Sequence, residues 1–129
     1  MHVSMLRAKL HQARVTGTDI NYVGSITIDA TLLEQAGMFP YEKALVVDIE
    51  NGARFETYII SGPPNSGKIE LNGAAARLVA VGDRLIIMAF SQVPFPPPDA
   101  WRPRVLILDE NNAIRSVERE EVFSDAPSD

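Results

Sequence analysis

The chain has 129 residues, 46% of them apolar, and 17 acidic against 12 basic side chains give a formal net charge of -5. That suits one domain with a real core and leaves no basic footprint for nucleic acid. Cysteine is absent and His2 and His11 are the only histidines, so thiol chemistry, disulfides and a multi-histidine metal site are excluded.

Residues 5–16, MLRAKLHQARVT, alternate Leu6, Ala8, Leu10 and Gln12 with Arg7, Lys9, His11 and Ala13, the period of a strand. The same charged residues interrupt any signal-peptide core, no later segment is long enough to span a bilayer, and the cytoplasm is the expected compartment. In NYVGSITID, residues 21–29, a Gly24-Ser25 pair precedes a second alternating run. Taken alone, that pair reads as a tight turn entering a strand. Thr31 with Glu34 fits a capping box and Gly37 a C-cap, which predicts one short helix. KALVVDIE and ARFETYII flank Asn51-Gly52, a hairpin signal with a two-residue type I′ turn.

GPPNSGK (62–68) reads as a loop, IELN (69–72) as a short strand and 73–78 as a brief helix or turn. Gly82-Asp83 reads as a structural turn before the buried strand RLIIMAF. VPFPPPDAWRP (93–103) carries Pro94, Pro96, Pro97, Pro98 and Pro103, and is expected to be an extended surface loop outside any ladder. RVLIL is one more strand, Asp109 to Asn112 a turn, AIRSVE weakly specified, and 118–129 an acidic tail expected to be mobile at its end. No GxxxxGK[ST] loop offers a phosphate cradle. Many short strands with little helix predict a mainly β, closed barrel.

Four blocks, MLRAKLHQARVT, NYVGSITID, NGARFETY and LNGAAARLVAVGD, in this order and at these separations, resemble the bacterial L-aspartate α-decarboxylase family over roughly residues 1–110. The resemblance implies a double-psi β-barrel with one or two short helices, a single domain over 1–129 and a homotetramer. It also implies a precursor that cleaves itself at Gly24-Ser25 into chains 1–24 and 25–129. In that chemistry the Ser25 hydroxyl attacks the Gly24 carbonyl and the amide becomes an ester. Elimination then leaves a dehydroalanine, which hydrolyses with loss of ammonia to an N-terminal pyruvoyl group. This group, formed from Ser25 with no external cofactor and no metal, would hold L-aspartate as a Schiff base and act as the electron sink when the α-carboxylate leaves as carbon dioxide. The product implied is β-alanine, for pantothenate and coenzyme A synthesis.

The resemblance further assigns Tyr58 as proton donor, Thr57 as an aid to processing and part of the substrate pocket, and Asn72, Gly73, Ala74 and Ala75 as the segment that meets substrate. Arg54 and Lys9 are the natural partners of the two carboxylates of aspartate, a bidentate fork and a compact charge. His11 is placed one layer behind them, and Tyr22 is expected to close over the site. Each has a plainer counterpart: a core-packed tyrosine, a β-branched strand residue, a helix cap at Asn72, a snorkelling lysine. Strict alternation sets Thr57 on the face opposite Arg54 and Tyr58. The strand is therefore bulged or strongly twisted, or the site forms between subunits. Two other readings stay open: a non-processing barrel that binds or supports, and a pyruvoyl decarboxylase of another small amino acid. Retention of both Arg54 and Lys9 argues against the second.

Overall fold

The computed structural model describes residues 1–119. Nine strands form one mixed sheet: β1 (His2–Arg14), β2 (Gly17–Asp19), β3 (Ser25–Asp29), β4 (Lys43–Asp48), β5 (Arg54–Gly62), β6 (Ile69–Asn72), β7 (Arg84–Pro94), β8 (Arg104–Leu108) and β9 (Ile114–Glu118), in the order β2-β6-β3-β5-β4-β7-β1-β8-β9. Helix α1 (Ala30–Ala36) and a 3-10 turn (Gly73–Leu78) complete the described elements. The mainly β expectation, with one or two short helices, is met. The expected mobile tail lies, beyond residue 119, outside the described residues.

Apolar side chains on one face of the strands make the core. Leu10, Ile26, Ile28, Ile59, Ile69, Leu71, Leu85, Ile87, Leu106 and Leu108 are fully buried, each contributing about 1.5–3 kcal/mol by leaving water. The alternation of β1 is broken twice, by register shifts against β7 between Leu6 and Ala8 and between His11 and Ala13. The extra residues are Arg7 and Gln12, and Gln12 takes the left-handed φ of 65°. Simple parity would group Ala13 with Lys9 and His11 and Gln12 with the core. The second bulge instead turns Ala13 inward, fully buried, and leaves Gln12 half-buried. Arg7, released by the first bulge, donates to Glu42 Oε1 and Oε2 and to the Gly37 carbonyl.

Local signals were partly displaced by tertiary contacts. The helix begins two residues earlier than the Thr31–Glu34 box implies: Asp29 is the N-cap, accepting from the Thr31 N–H at 2.8 Å. The same buried carboxylate takes the Asn65 and Gly67 N–H groups, and Thr31 spends its hydroxyl on Asn65. Gly37 caps the other end in the left-handed region, as expected. The β4–β5 hairpin is present, but its turn is a four-residue loop in which the Asp48 N–H meets Ala53 O and the Gly52 N–H meets Asp48 O. Only Gly52 is left-handed, whereas a type I′ turn needs two such residues. Asn51 accepts from the Ala53 N–H and donates to Leu78 O, which ties the loop to the 3-10 turn.

Strand β7 runs through Val93 and Pro94, paired with Val3 and His2, so the proline-rich segment enters the ladder further than expected. At that point β4 has already ended its pairing with β7. The proline nitrogen therefore has no second neighbour to serve. AIRSVE, weakly specified alone, becomes β9 by pairing with β8.

Asp48 is buried at the end of β4, with one oxygen accepting from the Glu50 N–H and the other without a partner. Burial, and then the neighbouring Asp83 carboxylate, push its pKa up to about 6 from an ordinary 3.8. The folded state therefore holds this proton more tightly than the unfolded chain, so its stabilising effect is complete near pH 4 and fades as pH rises to about 6. Asp48→Asn, which retains the acceptor for Glu50, is expected to raise the melting temperature at pH 7.5 and to lose that advantage at pH 4.5. Thermal melts at the two pH values check this.

Candidate active site

Strands β6, β3 and β5 lie side by side and carry the centre of the site. Ser25 pairs with Asn72 and Thr27 with Glu70 across the antiparallel β3–β6 ladder, so these four side chains share one face. The opposite face holds Ile26 and Ile28 in the core. Ser25 and Asn72 are both buried. Asn72 Nδ2 donates to Ser25 Oγ at 2.8 Å and to Thr27 Oγ1 at 3.0 Å. Asn72 occupies the N-cap position of the 3-10 turn, yet makes no side-chain capping bond. Its amide is committed to the two hydroxyls, so the plainer capping role is filled by position only.

Gly73 follows with φ +68°, and a Cβ there would stand 2.7 Å from Gly24 Cα, 2.8 Å from Gly24 N and 3.1 Å from the Tyr22 carbonyl oxygen. The Gly73 backbone thus lies close against the chain just before the Gly24-Ser25 bond, which only glycine permits. Gly24 itself is exposed, is absent from the positive-φ residues, and has nothing within 4 Å of a built Cβ. The left-handed backbone and the close approach next to the scissile bond therefore belong to Gly73. Ala74 is exposed and Ala75 half-buried against the core edge.

On the other side, Ile26 is level with Ile59 in the parallel β3–β5 pairing. One residue back, Ser25 is level with Tyr58 on the same face. The Tyr58 ring is stacked on that of Tyr41, centroids 6.5 Å apart and planes 17° from parallel. Residues Arg54 to Tyr58 pair with Val47 to Lys43 without a register shift, so β5 has no bulge there. Thr57, opposite the buried Ala44, faces the core side, away from Tyr58.

The cations stand apart from this cluster within one chain. Arg54 is four residues from Tyr58, about 13 Å along the strand. Through the pairings Arg54–Val47–Ile86–His11 and Glu56–Leu45–Met88–Lys9, Lys9 and His11 lie three strands from β5, about 14 Å across the sheet. They share the Tyr58 face but do not converge on Ser25. Tyr22 is half exposed, and a cleft of about 300 Å³ lined by Tyr22, Thr27, Ser61, Lys68, Glu70 and Asn72 opens beside the Asn72 amide. Among the described residues no helix is long and apolar enough to cross a membrane, and no group of three or more potential ligands could hold a metal ion.

Thr27 was missed in the sequence. Its signal was available: two residues after Ser25 on a strand, it must share the serine's face.

A family model described as Aspartate decarboxylase matches residues 1–115. Curated relatives include an aspartate 1-decarboxylase of Carboxydothermus hydrogenoformans, 48% identical over 122 residues, which are 95% of this chain and 96% of the relative. One from Neisseria meningitidis is 52% identical over 117 residues, 91% of this chain and 92% of the relative. One from a Geobacillus species is 51% identical over 121 residues, 94% and 95% respectively.

Proposed function

From the premise that the chain belongs to the aspartate decarboxylase family, we propose that it cleaves itself between Gly24 and Ser25 and then decarboxylates L-aspartate to β-alanine and carbon dioxide. The observation that carries this reading is the buried Ser25 hydroxyl held by Asn72, each residue next in sequence to a glycine, Gly24 and Gly73, whose backbones approach closely. A serine hydroxyl is a weak nucleophile at its ordinary pKa, and rate must come from position and from donors near the developing charge. The buried rotamer, the single amide donor and the crowded backbone supply position.

In the cleavage, Ser25 Oγ bonds to the Gly24 carbonyl carbon as the C–N bond breaks, and the hydroxyl proton passes to the freed Ser25 nitrogen. Loss of the Cα proton and of the Gly24 carboxylate from Cβ leaves a double bond, and water then displaces ammonia. The pyruvoyl group so formed supplies an electron sink for departure of the α-carboxylate. The residues present fit it: Asn72 remains as a buried donor beside residue 25, and Tyr58 stands level with it on the same face.

Tyr58 returns a proton to the substrate carbon. Arg54 and Lys9 take the carboxylates of aspartate, with His11 behind them, while Tyr22 and the Gly73–Ala75 backbone close the pocket. Because Arg54, Lys9 and His11 stand more than about 10 Å from the Ser25–Tyr58 cluster within one chain, the complete site forms between protomers of a homotetramer, while Thr57, on the core side of β5, acts within its own chain. The compartment is the cytoplasm and the product enters pantothenate and coenzyme A synthesis. The relatives named above are aspartate 1-decarboxylases, which favours aspartate over another amino acid.

Denaturing intact-mass analysis beside aspartate-dependent carbon dioxide release tests the proposal. Wild type should yield chains 1–24 and 25–129, the second with a carbonyl terminus, and release carbon dioxide. Ser25→Ala should do neither. A single uncleaved wild-type species with no carbon dioxide release would overturn the reading and favour the non-processing barrel.

A further inference from the structure

We propose that Thr27 is a positioning residue for self-cleavage: its hydroxyl anchors the Asn72 amide, and the anchored amide fixes the rotamer of the Ser25 hydroxyl. The inference rests on the processing reading given above. An amide nitrogen carries two hydrogens, and Asn72 Nδ2 uses them on Ser25 Oγ at 2.8 Å and Thr27 Oγ1 at 3.0 Å. The two hydroxyls stand two residues apart on one face of β3, and Asn72 faces Ser25 across the ladder. The three groups therefore form one fixed triangle. Thr27 is not next to the scissile bond and acts only through Asn72.

Two features make the anchor consequential. Asn72 makes no capping bond to the 3-10 turn, so nothing else in its local backbone selects the orientation of its amide. Thr27 also borders the open cleft that reaches Asn72. Without the threonine oxygen, solvent entering that cleft can take the second Nδ2 hydrogen and let the amide rotate about its side chain. Ser25 Oγ would then lose its only described donor and sample rotamers remote from the Gly24 carbonyl. Misplacement of a reacting atom by about 1 Å costs up to a hundredfold in rate, and loss of one orienting hydrogen bond costs on the order of tenfold.

The same anchor outlasts the reaction it assists. Cleavage removes the Ser25 oxygen along with the upstream chain, whereas Thr27 is unchanged. Asn72 is thereby kept with one N–H directed at residue 25 after its first acceptor has gone.

The test is a time course of cleavage, followed by denaturing intact mass from freshly purified precursor, for wild type, Thr27→Val, Thr27→Ser and Ser25→Ala. Valine keeps the branched shape and strand preference of threonine and removes only the hydroxyl. Thr27→Val should cleave about tenfold more slowly at an unchanged melting temperature, and Thr27→Ser should restore the wild-type rate. Thr27→Ala, which removes bulk instead of replacing it, should slow to the same degree and serves if the valine variant fails to fold. Wild-type rates in the valine and alanine variants would overturn the inference while leaving the processing reading intact. So would equal slowing of the serine variant with a lowered melting temperature, the mark of a structural role. A wild-type chain that never cleaves would overturn both together.

Discussion

Gly73→Ala is expected to abolish self-cleavage and lower the melting temperature, while Gly24→Ala leaves the fold intact. The two glycines meet at the scissile bond but stand in opposite physical situations. Gly73 has φ +68°, and its added methyl would lie 2.7 Å from Gly24 Cα and 2.8 Å from Gly24 N, inside any permitted contact with backbone. The left-handed conformation alone costs an L-residue about 1–3 kcal/mol. Relief of the clash requires the Gly24 backbone to move away, and with it the carbonyl that Ser25 Oγ must reach. A shift of even about 1 Å there costs around a hundredfold. Gly24 has an open surrounding and ordinary φ, so an alanine is accommodated in the uncleaved chain. Its methyl flanks the carbonyl under attack, and the expected penalty is a slower cleavage without loss of stability. Thermal melts and intact-mass time courses on both variants separate the effects. Equal behaviour of the two would show that the Gly73–Gly24 contact does not govern processing.

The difference between the glycines illustrates what a sequence can display. Chain order and periodicity located β3, the β4–β5 hairpin and the short helix, because alternation, Asn-Gly and a C-terminal glycine are local signals. The bulges at Arg7 and Gln12 were not legible, since they arise from how β1 must stay in register with β7 while sending Arg7 toward Glu42 and Ala13 into the core. The N-cap moved from Thr31 to Asp29 for a similar reason: Asp29 also gathers N–H groups from the 62–68 loop, a gain no local window contains. In the site, Ser25, Asn72 and Gly73 came from family blocks and converge in one chain. Arg54, Lys9 and His11 lie in the other two blocks and stand away from Ser25 along β5 and across the sheet, a separation that no periodicity in the sequence displays.

Tyr58→Phe is expected to cleave normally and to lose turnover by a factor of about 10²–10⁴, the usual worth of a positioned acid. Phenylalanine retains the ring that stacks on Tyr41 and the half-buried place opposite Lys43, so fold and processing should be preserved. Only the proton is removed. Tyr41 holds its ring from a left-handed backbone position, φ 70°, secured by its N–H on Ile59 O at 2.7 Å. A bulky residue rarely accepts that conformation, and Tyr41→Gly should relieve the strain while freeing the Tyr58 ring. The pair of variants therefore distinguishes two contributions. Loss of the hydroxyl should lower kcat with little change in KM, because the proton is delivered after substrate is bound. Loss of the stack should lower kcat by a smaller factor, since a mobile tyrosine still delivers a proton when aligned. Steady-state carbon dioxide release on fully cleaved protein measures both. Full turnover in Tyr58→Phe would remove the tyrosine from the proton path.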